Sequence, residues 1–221
     1  MIFENGVTLE ELLIQNASAV FTIIGVLLGS VVTGAFGYFS KSRETKLKLA
    51  EKIVDKKLEA HDQIINLANS MRTVVVVDGQ CDDVELPRYP ALFSSRDKFD
   101  EFLTYLSQVQ SKSERWLSAE LKRELCFFID YIVTLRKWTE NVDDFGLPRL
   151  GVALRNDFID MSSRIEDAAH EFINNDVVKL KFKTDRRWHK FSPNKTEELF
   201  SSTILMKRKS ELKLIADGKI T

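Results

Sequence analysis

The chain has 221 residues, 44% hydrophobic and 29% charged, with a formal net charge of −1. That length holds one membrane segment plus one soluble domain of ordinary size, and the near-zero charge excludes a global field drawing the protein to nucleic acid or lipid. The two cysteines, Cys81 and Cys126, have no CxxC spacing and no neighbouring histidine, so they read as reduced bystanders and no metal site is expected.

Residues 1–16 read as a short extracytoplasmic segment. Thr8 and Glu11 are spaced as a capping box, so a helix can begin at Leu9 and run onward without interruption. No charged residue occurs between Glu11 and Lys41, and residues 17–39 are all apolar or small. These 23 residues are enough to cross a hydrocarbon core of roughly 30 Å at about 1.5 Å per residue. A cleaved signal peptide is disfavoured, because there is no basic n-region, the apolar run exceeds the usual length, and Ala17 and Ala19 precede it rather than follow it.

Lys41, Arg43, Lys46, Lys48 and Lys52 crowd the C-terminal flank, and no Lys or Arg precedes Lys41. The positive-inside rule therefore predicts a single-pass protein with its N-terminus outside and residues 40–221 in the cytoplasm, Tyr38 and Phe39 serving as interfacial anchors. Within the span Gly25, Gly29, Thr33 and Gly37 recur every four positions, and Ser18, Thr22, Ser30 and Gly34 form a neighbouring row. On a helix such rows let a second backbone approach, which predicts a self-associating span and a homo-oligomer. The alternative is a lone anchor with incidental small residues. In an assembly, Thr22, Ser30 and Thr33 can line a narrow polar pathway, but no ionisable residue is present there to set charge selectivity.

From Lys41 to about Val75 there is neither Gly nor Pro. Leu47, Ala50, Val54, Leu58, Ile65 and Ala68 share one face, interrupted only by His61 and Arg72, so the membrane helix is expected to continue. The β-branched run 74–77 suits a short strand or a fraying helix end, of which the helix end is preferred, and 78–90 reads as a loop whose glycine is misplaced for an EF-hand. A helix opens at Ser95, with Phe99, Phe102, Leu103, Leu106 and Val109 on one side, and another is expected over about 113–141. Residues 145–151, with Gly146, Pro148 and Gly151, read as a break before a helix near 152–174. Alternation over 178–183 suggests a short β-piece, and Ser192-Pro193 precede a helix from Lys195 to about Ala216. The fold expected is mostly α: one N-terminal transmembrane helix continuing into a cytoplasmic bundle, with a basic region over 177–221.

Three histidines lie far apart, and neither a phosphate-binding glycine loop nor a hydrolase elbow is present, so the chain does not read as an enzyme and no cofactor is expected. Residues 177–221 carry twelve Lys and Arg against five Asp and Glu, a local charge of +7. Within it Lys179, Lys181, Lys183, Arg186, Arg187 and Lys190 interleave with Phe182, Trp188, His189 and Phe191. Cations neutralise phosphates and aromatic faces stack bases, so this segment is the candidate site for a nucleotide or single-stranded oligonucleotide. The competing reading pairs the cations with the protein's own acids or with anionic headgroups, leaving the aromatics to complete the core.

With its small-residue span at Gly25, Gly29, Thr33 and Gly37, its basic juxtamembrane run and its aromatic-basic segment, the chain resembles the small membrane effectors of bacterial anti-phage defence. In outline it is similar to those of the Hailong type. The resemblance is architectural. It implies an oligomeric inner-membrane channel governed by a nucleic-acid oligomer from a partner nucleotidyltransferase, with residues 179–195 reading the ligand. The alternative is a membrane-tethered interaction module without pore activity.

Overall fold

The computed structural model describes residues 10, 14, 16–76, 87–174, 190–217 and 219, and these are mostly helical. The chain divides into two compact units, Met1–Ile53 and Val54–Thr221. Helix α1, Ala17–Arg72, is 56 residues long and belongs to both. It is long and apolar enough to cross a membrane.

In the first unit no described side chain is buried. Beyond the apolar stretch the helix surface is charged, and Lys48 pairs with Glu44 one turn earlier at 2.7 Å, a spacing that supports an isolated helix by a few tenths of a kcal/mol.

The second unit begins where α1 acquires a buried stripe: Ala60, Ile64, Leu67, Ala68 and Met71 lie inside at helical spacing. Helix α2, Arg96–Ser113, is capped by Ser95, whose hydroxyl accepts the Lys98 N–H, as the sequence pattern predicts. It buries Phe99, Phe102, Leu106 and Val109. Helix α3, Ala119–Thr139, contributes Leu121, Leu125, Phe128, Ile132 and Leu135, and helix α4, Gly146–Phe172, contributes Leu154, Phe158 and Ile165. Phe158 lies among three rings edge-on, with centroids 5.3 Å from Phe93, 6.1 Å from Phe128 and 5.9 Å from Tyr131. Such pairs add about 0.5–1.5 kcal/mol each beyond burial. Three short helices close the unit: α5, Pro193–Ser202, α6, Ile204–Lys207, and α7, Lys209–Ala216.

Several sequence expectations are corrected. The valines after α1 are not a helix end: β1, Val74–Val76, pairs antiparallel with β2, Arg88–Pro90, so the tail of the expected loop is strand. β-branched side chains lose rotamer freedom in a helix and suit a ladder, and α1 is already anchored at its last residue. There the Arg72 guanidinium donates to Ser162 at 2.8 Å and Ser163 at 3.0 Å and pairs with Glu166, all on α4.

The helix expected over 113–141 is interrupted. A 3-10 turn, Glu114–Trp116, follows α2, Leu117 is extended, and the Ser118 hydroxyl caps α3 by accepting the Leu121 N–H. Nor do residues 145–151 break the chain, since α4 starts at Gly146. Pro148 falls in its first turn, where the missing N–H has no intrahelical acceptor to lose. The glycines answer close packing instead: a Cβ on Gly151 would sit 2.7 Å from Phe93 Cβ, and one on Gly146 would sit 2.6 Å from the Ala216 carbonyl oxygen.

The last expected helix is three, broken at Thr203 and Arg208. At the first break the buried Asp157 carboxylate accepts the Ile204 and Leu205 N–H groups at 2.8 and 3.1 Å. A distant acid thus caps α6 and makes the interruption favourable. The β-piece expected over 178–183 and the capping box at Thr8 lie outside the described residues.

Candidate functional site

From Phe21 to Phe39 eleven large apolar side chains are exposed in the isolated chain, among them Phe21, Leu28, Val31 and Phe36. Burying one such side chain gains about 1.5–3 kcal/mol, so covering the set is worth on the order of 20 kcal/mol. A Cβ added at Gly25, Gly29, Gly34 or Gly37 would meet nothing within 4 Å. The hydroxyls of Thr22, Ser30 and Thr33 donate to the carbonyls of Ser18, Leu27 and Gly29 at 2.7, 2.8 and 2.7 Å. These three hydroxyl hydrogens are therefore satisfied within the helix, as an apolar medium requires.

Of the sequence-predicted ligand residues, Lys179, Lys181, Lys183, Arg186, Arg187 and Trp188 lie outside the described residues. Lys190 is exposed, and its charge acts on Cys126, drawing down a thiol pKa that burial pushes up. Phe191 packs against the core rather than standing free. Lys195 is paired with Glu198 in the first turns of α5 at 3.0 Å. Farther on, Arg208 is held by Glu211, and the Lys209 ammonium lies 4.8 Å from the centroid of Trp138. Lys195, Arg208 and Lys209 thus meet the protein's own acids and rings, and Lys190 does not.

A cleft of about 990 Å³ lies elsewhere in the second unit. Its first wall is Pro87 with Tyr89 of β2. The floor is the outer face of α4 and the residue before it: Phe145, Pro148, Arg149, Val152 and Asn156. The far wall comes from α6 and α7 through Ile204, Ile215 and the Arg208–Glu211 pair. Phe145 is 82% exposed although it caps a helix whose next two residues are buried.

The cleft lining carries two arginines and two acids, so its formal charge balances. Asp144 accepts the Arg96 N–H at 2.9 Å, and Glu211 binds Arg208 through Nε and Nη2. Arg149 meets no acid or acceptor among the described residues. Tyr89 is 8% exposed, and its hydroxyl likewise has no partner among them. Sequence reasoning missed this cleft because its walls come from three separated stretches, each of which looked like a turn or an ordinary amphipathic helix.

Two polar groups are buried deeper. His61 is 0% exposed, stacked on Phe172 at a centroid distance of 3.9 Å; its Nδ1–H donates to the Lys57 carbonyl at 2.7 Å, and Nε2 is buried without a partner. Desolvation lowers its pKa to about 4, outweighing the hydrogen bond. Asp157, besides capping α6, accepts the Tyr131 hydroxyl at 2.9 Å. Burial pushes its carboxyl up against the hydrogen bonds that pull it down. Both are positioned as structural locks. Among the described residues no cluster of His, Cys, Asp and Glu could hold a metal ion.

The class defined so far is a helical protein with one helix long and apolar enough to cross a membrane. No protein-family model, curated protein or solved structure matches the chain.

Proposed function

We propose that this chain is a single-pass protein of a bacterial inner membrane, with residues 17–39 in the bilayer, the N-terminus outside and the soluble unit in the cytoplasm. The carrying observation is the stretch of exposed apolar side chains over residues 21–39, with its hydroxyls bonded internally. Lipid supplies the missing cover. The basic flank from Lys41 to Lys52 supports the orientation.

In this reading several copies associate through the face bearing Gly25, Gly29, Thr33 and Gly37. The assembly is an effector whose ion flow responds to an anionic ligand, a nucleotide or oligonucleotide supplied by a partner nucleotidyltransferase, in anti-phage defence. The small-residue rows, the local +7 of residues 177–221 and the architectural resemblance support it. Purified full-length protein in planar bilayers is expected to give ligand-dependent conductance steps. Silence with mono-, di- and oligonucleotides would remove the channel.

A tethered module without a pore is the second reading, favoured by one observation: with the Thr22, Ser30 and Thr33 hydrogens already bonded, the span needs no polar lumen. Replacing residues 17–39 by polyleucine separates the two, since a tether keeps its activity and a channel loses it.

A further inference from the structure

The two-stranded sheet ends on a bare edge. β2 packs against α4, and among the described residues β1 pairs only with β2. The register sets Val74 opposite Pro90, Val75 opposite Tyr89 and Val76 opposite Arg88. One step earlier the Thr73 carbonyl accepts the Ala91 N–H at 2.8 Å. Antiparallel pairs alternate between hydrogen-bonded and non-bonded, so Thr73 and Val75 turn their backbone groups toward β2 while Val74 and Val76 turn theirs outward. Pro90, which has no N–H, falls at a non-bonded pair, as this parity requires. The outward N–H and C=O groups of Val74 and Val76 meet no partner among the described residues. They repeat at about 7 Å, the two-residue step of an extended chain. The side chains of Val74, Val75 and Val76 are 39%, 37% and 44% exposed. An apolar strand with an unpaired edge is a template for another strand.

The charge beside that edge is one-sided. Val74 and Pro90 border a pocket of about 270 Å³ that Met71, Arg72, Arg155 and Ile159 complete, and this lining holds no acid. Arg72 is answered by Glu166. Arg155 is half-buried, its Nε has no acceptor, and it meets no acid among the described residues. Arg88, the cross-strand partner of Val76, shares a face with Val74 and Pro90 and is exposed, also without an acid among the described residues. Three arginines therefore stand on this face against one acid.

We infer that β1 takes an extended segment of a partner protein as a third strand, one in which acidic and apolar residues alternate. Backbone pairing at Val74 and Val76 fixes its register, and the strand period of two fixes its pattern. Partner residues level with Val74 and Val76 project onto the arginine face and are acidic. The residue level with Val75 projects onto the opposite face and is apolar. A second copy of this chain fits the edge less well, because its own β1 brings valines and the same arginines, setting like charges together. The inference uses only the second unit and stands whether or not α1 forms a pore.

Fluorescence anisotropy of a labelled Glu-Val-Glu-Val-Glu peptide with the detergent-solubilised full chain tests it, and the same peptide with lysine in place of glutamate is the charge control. The acidic peptide is expected to bind at least about tenfold more tightly than the lysine peptide, and Arg155→Gln is expected to narrow that gap. Val76→Pro removes an outward N–H without touching the bonds between β1 and β2, and should weaken the acidic peptide about tenfold. Thermal unfolding checks that each variant is folded. Equal binding of the two peptides, undiminished binding by Val76→Pro, or no anisotropy change with the parent chain overturns the assignment. A dimer that Val76→Pro dissociates, with no peptide bound, gives the edge to a second copy and overturns it equally. The acids between the strands, Asp78, Asp82, Asp83 and Glu85, are a rival source of carboxylate. Replacing all four by Asn and Gln is expected to leave peptide affinity within about twofold, whereas a gain of about tenfold would mean that the chain fills its own edge and would overturn the assignment.

Discussion

The contribution of His61 to the stability of the second unit should fall as the medium is acidified below pH 6.5. This imidazole is neutral in the fold with a pKa lowered by burial to about 4, against 6.5 for a free histidine. Between those values the unfolded chain binds a proton that the native state does not, so unfolding becomes easier as pH falls. The contribution is fully present above pH 6.5 and is lost by about pH 4. The fall from 6.5 to about 4 is worth roughly 3 kcal/mol, at about 1.4 kcal/mol for each tenfold change in proton affinity. At a denaturant slope of about 2 kcal/mol per molar urea, the midpoint moves down by on the order of 1.5 M. Glu124 and Asp157 work in the opposite sense, because burial raises their carboxyls and their protonation favours the fold as pH falls. The net slope therefore mixes signs, and the comparison that isolates His61 is with His61→Phe. Phenylalanine keeps the stacking on Phe172 and removes the titration. Urea unfolding of the full chain in detergent, followed by tryptophan fluorescence at pH 7.5, 6, 5 and 4.5, should show the parent losing more stability than the variant by about 2.5 kcal/mol at pH 4.5. Parallel pH curves for the two proteins would refute the reasoning.

Asp157→Ala leaves the Tyr131 hydroxyl and the Ile204 and Leu205 N–H groups without their acceptor. The expected loss is about 3–5 kcal/mol, read by thermal unfolding, with Tyr131→Phe losing only about 1 kcal/mol. Gly151→Ala places a methyl 2.7 Å from Phe93 Cβ, on a side chain that is fully buried. Overpacking of about 1–3 kcal/mol outweighs the roughly 1 kcal/mol gained in helix propensity, so a net loss near 1 kcal/mol is expected in chemical denaturation. Gly29→Leu adds apolar surface to the proposed span and should leave membrane fractionation unchanged while reducing chemical crosslinking between copies, whereas equal crosslinking would put the helix contact on another face.

The elements most legible in the sequence were those whose pattern is one-dimensional. A charge-free run, a Ser95 cap and the stripe from Phe99 to Val109 each depend on neighbours along the chain, and the helices stand where those signals put them. The errors share a different cause. Val74–Val76 became strand because a partner, Arg88–Pro90, lies beside it. Gly146 and Pro148 look like a break and instead open a helix, because Gly146 is pressed against the Ala216 carbonyl oxygen. The final helix breaks at Thr203 because a carboxylate 47 residues earlier caps the next turn. In each case a tertiary contact overrode a local preference.

The same distinction separates the two candidate binding regions. The basic stretch at 179–190 was visible because its charges are consecutive, and consecutive charge needs no fold. The cleft was not, because Arg149 is one arginine among thirty-two basic residues. Other arginines of the unit are paired, Arg72 with Glu166, Arg164 with Glu124 at 2.5 Å and Arg208 with Glu211, whereas Arg155 on the same helix as Arg149 also meets no acid among the described residues. Once those acids are assigned, Arg149 remains on the wall of an apolar cleft without an acid among the described residues. Arg149 is itself exposed, and Asp144 in the same lining accepts a backbone N–H and meets no cation among the described residues, so the charges of the cleft balance. Its shape comes from three separated stretches, and only the folded chain brings them together.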